Sequence, residues 1–209
     1  QDGSSKFGEN NQWGLFPSGS VKWDITRESF MSAVPVISQL QLRVGYGQTG
    51  NQDIGTYKDI ALFGITDHVQ DATTGETTVV YGSIQNANPD LKWEVNTELN
   101  VGLDFALFKS RLNGSIDVYN KKTTDLLYTY NVNSPPYLYD QLLVNAGAID
   151  VNGIEAVLSG YIIDKAKLKW KSTFVISHDE SIVTATGNKE FPGDKYVLEG
   201  YLMEPLGYG

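Results

Sequence analysis

The chain has 209 residues, 25 acidic against 16 basic side chains, a net charge of −9, two histidines and no cysteine. That length allows one large all-β domain or two small ones. The acidic balance argues against nucleic acid or an anionic membrane surface as partner, and the missing thiols exclude a disulfide framework and thiolate metal sites.

With imidazoles only at His68 and His178, histidine-based catalysis and histidine-rich metal sites are disfavoured, and neither a cofactor nor a metal is expected. Aromatic residues at 11%, together with 21 glycines, point to strands and turns. No run approaches the ~18–20 apolar residues of a membrane-spanning helix. This excludes helical spans only, because a β-barrel wall hides its apolar band in alternate positions. A mean hydropathy of −0.26 fits a soluble protein and a barrel wall equally. The first residues, "QDGSSKFGENNQWG", carry neither a charged n-region nor an apolar h-region. The chain begins without Met and stops after "EPLGYG", so a fragment of something longer is expected.

Period-two runs then follow one another along the chain. "GSVKWDI" sets Val21, Trp23 and Ile25 against Lys22 and Asp24, and a connection over Thr26–Ser38 follows, with a helical turn expected near Glu28–Ala33. "QLQLRVGYG" sets Leu40, Leu42, Val44 and Tyr46 against Gln41, Arg43, Gly45 and Gly47. A long connection over about 48–90 shows no sustained pattern and holds short strands at most, such as "TTVVYG". "LKWEVNTELNVGLDFALF", residues 91–108, alternates for about seventeen residues. Trp93, Val95, Thr97, Leu99, Val101, Leu103, Phe105 and Leu107 fall on one parity, with Lys92, Glu94, Asn96, Glu98, Asn100 and Asp104 on the other. A tight turn at Phe108–Arg111 leads into "LNGSIDVYNKKTTDLLYTY". The next connection, "NVNSPPYLYDQ", holds a Pro135-Pro136 pair that no ladder tolerates. "NAGAIDVNGIEAVLSGYII" runs to a second tight turn at Asp164–Lys167, "LKWKSTFVIS" returns, and residues 178–209 are expected to be loop.

The fold class that follows is all-β: an antiparallel up-and-down wall of about six long strands, with connections alternating between short and long ends. Seventeen residues at a rise of ~3.4 Å span about 58 Å. Tilted by about 40°, that exceeds an apolar band of ~25 Å, whereas globular strands run about five or six residues. Trp93 at one end and Phe105 and Phe108 at the other suit interfacial aromatic girdles. Burying Glu94, Glu98 and Asp104 in a sandwich core costs several kcal/mol each without partners; facing a wet lumen costs little. The wall is therefore read as part of a large transmembrane β-barrel. The alternative is a soluble secreted β-sandwich that binds carbohydrate, its polar face merely solvated.

Several of these segments resemble the C-terminal barrel region of the SusC/RagA-like TonB-dependent outer-membrane transporters of Bacteroidetes. The resemblance lies in "FGENNQWGLFPSGSVKWDI", "LQLRVGYGQTGNQDIG", "NPDLKWEVNTELNVGLDFALFKSRLNGSIDVYNKKTTDLLY", "NAGAIDVNGIEAVLSG" and "GYLMEPLGYG". The third is the most specific. Together they cover nearly the whole chain in order, least so over about 56–86. Two departures are Asp150-Val151, where a shorter and more polar step is usual, and Leu202-Met203 in place of the usual proline region. The resemblance implies a segment of a barrel of about 22 strands enclosing a plug. It implies import of oligosaccharides or peptides, energised through TonB beneath a SusD-like surface lipoprotein, in the Gram-negative outer membrane. Nothing in residues 1–209 resembles the plug, the TonB-interacting box or the closing strands, so the whole span is expected to be one partial barrel segment.

In such barrels tight turns are periplasmic and long loops extracellular. That puts Phe108–Arg111, Asp164–Lys167 and Thr26–Ser38 below, and the loops at about 48–90, 131–141 and 178–209 outside. Lys92, Glu94, Asn96, Glu98 and Glu155 are expected to face the lumen, Glu155 beside a neighbouring strand's cation or water. Tyr128, Tyr130, Tyr137 and Tyr139 form a candidate substrate-stacking surface; the plainer alternative is loop packing or an upper girdle. Asp53 and Asp59 have the oxygens for Ca²⁺ without the EF-hand pattern. His68 in "TDHVQD" and His178 in "SHDE" each sit beside carboxylates, as solvated surface histidines commonly do. Glu94 and Glu98 stand ~13 Å apart along an extended strand, too far for a glycosidase pair at ~5–9.5 Å. No catalytic residue and no enzyme activity are expected.

Overall fold

Alternation at period two sends polar and apolar side chains to opposite faces of an extended backbone, and β-branched and aromatic residues favour that backbone. In the computed structural model, which describes residues 1–187, these runs form strands. In chain order they are β1 (Asp2–Gly3), β2 (Trp13–Gly14), β3 (Ser18–Asp24), β4 (Ile37–Asn51), β5 (Leu62–Gln70) and β6 (Thr77–Gln85). There follow β7 (Glu94–Leu107), β8 (Leu112–Thr124), β9 (Leu127–Asn131), β10 (Gln141–Asn145), β11 (Ala148–Lys165) and β12 (Leu168–Ala185).

Six of these form one sheet in the order β12-β11-β8-β7-β4-β3, every neighbour antiparallel. Strand order follows chain order, so the sheet is an up-and-down wall. The hairpins β5–β6 and β9–β10 are inserted at one end of it. At the opposite end lie the 108–111 turn, the turn at 166–167 and the connection between β3 and β4. That connection folds into two short 3-10 helices, Ile25–Arg27 and Ser29–Ala33, where a single helical turn was expected. Its Val36 carbonyl accepts a bond from the Phe108 N–H at 2.9 Å, which fixes the shared end.

Three boundaries differ from the sequence reading. The strand expected over 91–108 has 14 residues and begins at Glu94, which still exceeds the ~9–11 residues that cross a bilayer as strand. Residues 178–185, expected as loop, continue β12, while "GYLMEPLGYG" lies outside the described residues. The long 48–90 connection holds the β5–β6 hairpin. Its tip is organised by Asp71, whose carboxylate accepts the N–H groups of Thr73 and Thr74 at 2.7 and 3.0 Å; these bonds hold the carboxyl below its usual range.

Trp93 is the clearest correction. It is only 7% exposed and packs between Phe7, at a ring-centroid distance of 5.1 Å, and Phe16, at 5.3 Å. It is a core residue, not a girdle residue. Burying an indole of ~200 Å² contributes on the order of 5 kcal/mol, which outweighs one more pair of ladder bonds and draws Leu91–Trp93 out of the sheet. Phe7, Ile54, Leu91 and Trp93 form this core, with Phe16, Leu127 and Leu143 against it. A second cluster unites Leu142, Val144 and Ala146. Both lie at the loop end, as a cap. Within the six-stranded sheet, Ala106 is the one buried apolar side chain among the described residues. Among the described residues no second layer covers the sheet, which is what the sandwich alternative required.

The 108–111 turn places Phe108, Lys109 and Ser110 at φ of 55°, 59° and 63°, a left-handed backbone costing roughly 1 kcal/mol for each non-glycine residue. Lys109→Gly is therefore expected to raise the stability of the folded barrel by about 0.5–1 kcal/mol. Urea midpoints of the complete barrel in lipid vesicles measure this, and an unchanged or lower midpoint counts against it.

Candidate functional site: a two-faced wall and its cap

Register carries the alternation from strand to strand. Val21, Val44, Val101, Val118 and Ile154 stand opposite one another in one row across the sheet. Trp23, Leu42, Leu103, Ile116, Ala156 and Ile176 form the next row towards the tight turns. Among the described residues no layer covers these side chains: Leu99, Val101, Val118 and Ile154 are 46%, 40%, 51% and 47% exposed. Six strands thus share one uncovered apolar face.

The upper edge of this apolar band does not follow the hydrogen-bond rows. On β4 and β7 it reaches Tyr46 and Leu99, which pair directly. On β8 and β11 that row is occupied by Asn120 and Asn152, whose amides bond to each other at 2.8 Å, and the band stops one row lower at Val118 and Ile154. On β12, His178 occupies the Val118–Ile154 row and the band stops at Ile176, lower again. Two same-face steps, about 14 Å, are lost over four strand gaps of about 4.8 Å each. That slope corresponds to a tilt of about 35°, within the ~35–45° of transmembrane barrels. Near the tight turns, Trp23, Trp170, Phe174 and Phe108 are exposed along the band, and the Trp23 indole N–H donates to Glu28 Oε1 at 3.0 Å.

The other face is a charge ladder. Arg43 on β4 donates through Nε to Asp104 Oδ2 at 2.7 Å and through Nη2 to Asp104 Oδ1 at 3.1 Å and Asp117 Oδ1 at 3.0 Å. The guanidinium spans β7 to do so, across Gly102. A Cβ there would lie 2.5 Å from Asp117 Oδ1 and 2.6 Å from Arg43 Nη2, so the missing side chain makes the bridge possible. Sequence reading placed Arg43 on the polar parity but did not join it to Asp117. The signal, a lone Arg registering with a Gly, exists only once the strands are paired.

The residues expected to line a lumen fall out as follows. Glu94 accepts from Asn51 Nδ2 at 3.1 Å and from the Leu127 N–H at 3.2 Å, tying the strand top to the hairpin above it. Asn96 accepts the Thr123 hydroxyl at 2.6 Å, and Glu98 faces Lys121 at 3.9 Å. Lys92 precedes β7, outside its alternation. Its N–H goes to Asn145 Oδ1 at 2.8 Å and its ammonium to Asp125 at 2.9 Å. Glu155 registers beside Asp117 and Ser177. Among the described residues it makes no hydrogen bond or ion pair, so of the two expected partners, a cation or water, the cation is not found there.

Above the wall, β9–β10 prolongs the β8–β11 pair past a kink at Asp125 (φ 55°) and Gly147 (φ 99°). The four tyrosines here do not share one surface. Tyr130 and Tyr137 pack against the Leu142–Val144–Ala146 cluster, and Tyr128 meets Tyr130 edge-on at 5.1 Å. Tyr139 instead lines a cavity of about 330 Å³ together with Asp53, Lys58 and Gln141. The segment before β7 carries Pro89 and is held to β10 by side chains in place of a ladder. Asn86 Nδ2 donates to the Gln141 carbonyl at 2.9 Å, Asn88 Nδ2 to that of Leu143 at 2.7 Å, and Asn145 Nδ2 back to the Lys92 carbonyl at 2.8 Å. His68 lies on β5 and His178 on β12, in different sheets.

Arg43→Met leaves Asp104 and Asp117 facing each other without a cation. Because the three side chains are 36%, 28% and 21% exposed, the expected loss is about 1–2 kcal/mol. Gly102→Leu is expected to evict the guanidinium at similar cost, and the two changes together to cost clearly less than their sum. Denaturant melts of the four proteins give the coupling; simple additivity would contradict the bridge.

The sequence profile of the family described as "TonB dependent receptor-like, beta-barrel" matches residues 1–202. A TonB-dependent receptor of Formosa agariphila is 36% identical over 98% of this chain and 19% of its own length. The TonB-dependent receptor SusC of Bacteroides thetaiotaomicron is 33% identical over 95% of this chain and 20% of its own. Among solved structures, the RagAB peptide importer in its closed-closed state superposes with a TM-score of 0.78 at 26% identity, over 90% of this chain and 20% of that one. The chain thus spans about a fifth of the length of these relatives. Wall, slant and sequence agree: this chain belongs to the TonB-dependent receptor-like β-barrel family.

Proposed function

We propose that residues 1–209 form part of the barrel of a longer outer-membrane, TonB-dependent active transporter that imports oligosaccharides or peptides and has no enzymatic activity of its own. One observation carries this reading: an uncovered apolar face shared by six strands, its upper edge slanting across five of them, β4 to β12, backed by a hydrogen-bonded charge ladder. A soluble sheet gains nothing by leaving such a band bare. A wall between lipid and an aqueous lumen needs both faces as they are.

The tight turns then face the periplasm and the cap faces outward. Strands flanking β3 and β12 satisfy the two open edges, which are otherwise templates for aggregation. Kinship with a protein named SusC and with a solved peptide importer supports the substrate class. By the same kinship, a SusD-like surface lipoprotein sits above the cap and TonB acts through parts of the protein beyond this span.

The complete receptor carrying this segment, expressed in a Gram-negative host without its own copy, is expected to be recovered in the outer membrane. It should take up labelled oligosaccharides or peptides only while TonB is present. Uptake that persists without TonB, or a receptor found only in the soluble fraction, sinks the reading. Val101→Arg places a cation within the apolar band and is expected to cost about 2–4 kcal/mol. Lower membrane recovery and a lower denaturation midpoint report it, and an Arg tolerated there would remove the lipid from the argument.

A further inference from the structure

The cation of Lys58 differs in its surroundings from those of Arg43, Lys92 and Lys121. Arg43, Lys92 and Lys121 each meet carboxylates. Lys58 is half-buried at the cap cavity, and its ammonium donates to Gln85 Oε1 at 2.9 Å. The Gln85 amide cannot turn away, because its Nε2 donates to the main-chain carbonyls of Tyr57 and Ile60. Among the described residues no carboxylate lies within ion-pair range of Lys58. A three-donor ammonium thus has one neutral acceptor, and Asp53, the one carboxylate among the residues lining the cavity, lies beyond direct ion-pair range of it.

The facing wall of the cavity is fixed in advance. Asn86 Oδ1 accepts the N–H groups of Leu138 and Tyr139 at 3.2 and 3.1 Å, and its Nδ2 donates to the carbonyls of Tyr139 and Gln141. Every hydrogen-bonding position of that amide is used, so the end of β6 and the start of β10 hold Tyr139 and Gln141 in place. Thr129 adds a hydroxyl and Ile84 an apolar contact. The space, about 330 Å³, accommodates one sugar ring or one to two amino-acid residues.

We propose that this cavity is a subsite for a carboxylate on the imported molecule, with Lys58 as its charge partner and Gln85 and Asn86 as positioning residues. The inference rests on the uptake reading above and narrows it to substrates with an acidic end. The carboxylate belongs either to a uronic acid in an oligosaccharide or to the C-terminus of a peptide. Asp53 lines the same space, so a second acid group there is repelled and singly charged ends are favoured. A charge-assisted bond to carboxylate gives Lys58 the direct ion pair that no described side chain supplies.

Calorimetry on the complete receptor in detergent compares a glucuronic-acid-terminated disaccharide with its methyl ester, and N-acetylated trialanine with its amide. One acid probe is expected to bind at least tenfold more tightly than its neutral counterpart, which identifies the source. Lys58→Gln is expected to erase that preference, bringing the acid and neutral probes to equal affinity, and Lys58→Arg to retain it. If neither acid probe outbinds its neutral form, the proposal is wrong. That comparison uses the unmodified receptor and stands however the variants fold. A preference surviving in Lys58→Gln likewise overturns it. Wild-type uptake measured in parallel separates the two readings: uptake without acid preference removes only the subsite, whereas no uptake removes the transporter.

Discussion

Everything in this molecule depends on keeping a strand's two faces distinct over its full length. Side chains alternate with a period of two, so a one-residue slip in register would turn every apolar group of a strand to the polar side. Register here is held from both faces. On the polar side, Arg43 ties β4 to β7 and β8 through Asp104 and Asp117, and Thr123 ties β8 to Asn96 of β7. On the apolar side, Asn120 and Asn152 join β8 to β11 at the band's edge. A slip would break these bonds together and drive charge into the apolar row.

The same requirement explains where the hydrophobic core is. An ordinary sheet buries one face against a second layer; this one leaves its apolar face for another solvent. Burial is therefore relocated to the loop end, where Phe7, Ile54, Leu91 and Trp93 come together. The cap's polar stitching follows from its chain. Pro89 cannot donate to a ladder, so asparagines at 86, 88 and 145 supply donors from their side chains to otherwise open carbonyls. Rigid wall and side-chain-stitched cap divide the labour: the first separates two solvents, and the second shapes a cavity above them.

Much of the wall was legible before any coordinates. Strict alternation in "NTELNVGLDFAL", the tight turn after Leu107 and the proline pair after Tyr130 placed the strands, their number and their short and long ends. The errors share one cause. Trp93 continues the alternation and so reads as strand, yet Phe7 and Phe16, far away in sequence, pull it into a core. Four tyrosines within a dozen residues read as one surface, but hairpin geometry turns Tyr130 and Tyr137 into packing and Tyr139 towards a cavity. The end of β12 has the same cause: "SHDE" is polar enough for loop, but β11 supplies a pairing partner through residue 185.

By itself the sequence determined the class, because period-two patterning is a local property that survives any arrangement of neighbours. It set two chemically distinct faces and strands long enough to cross a membrane. Tertiary structure alone decided the rest. The 35° slant, the Arg43 bridge over Gly102 and the isolation of Lys58 at its cavity all depend on which residues of different strands or loops stand side by side. Pairing between distant segments is set by register and long-range packing, and neither is written in any single stretch of chain.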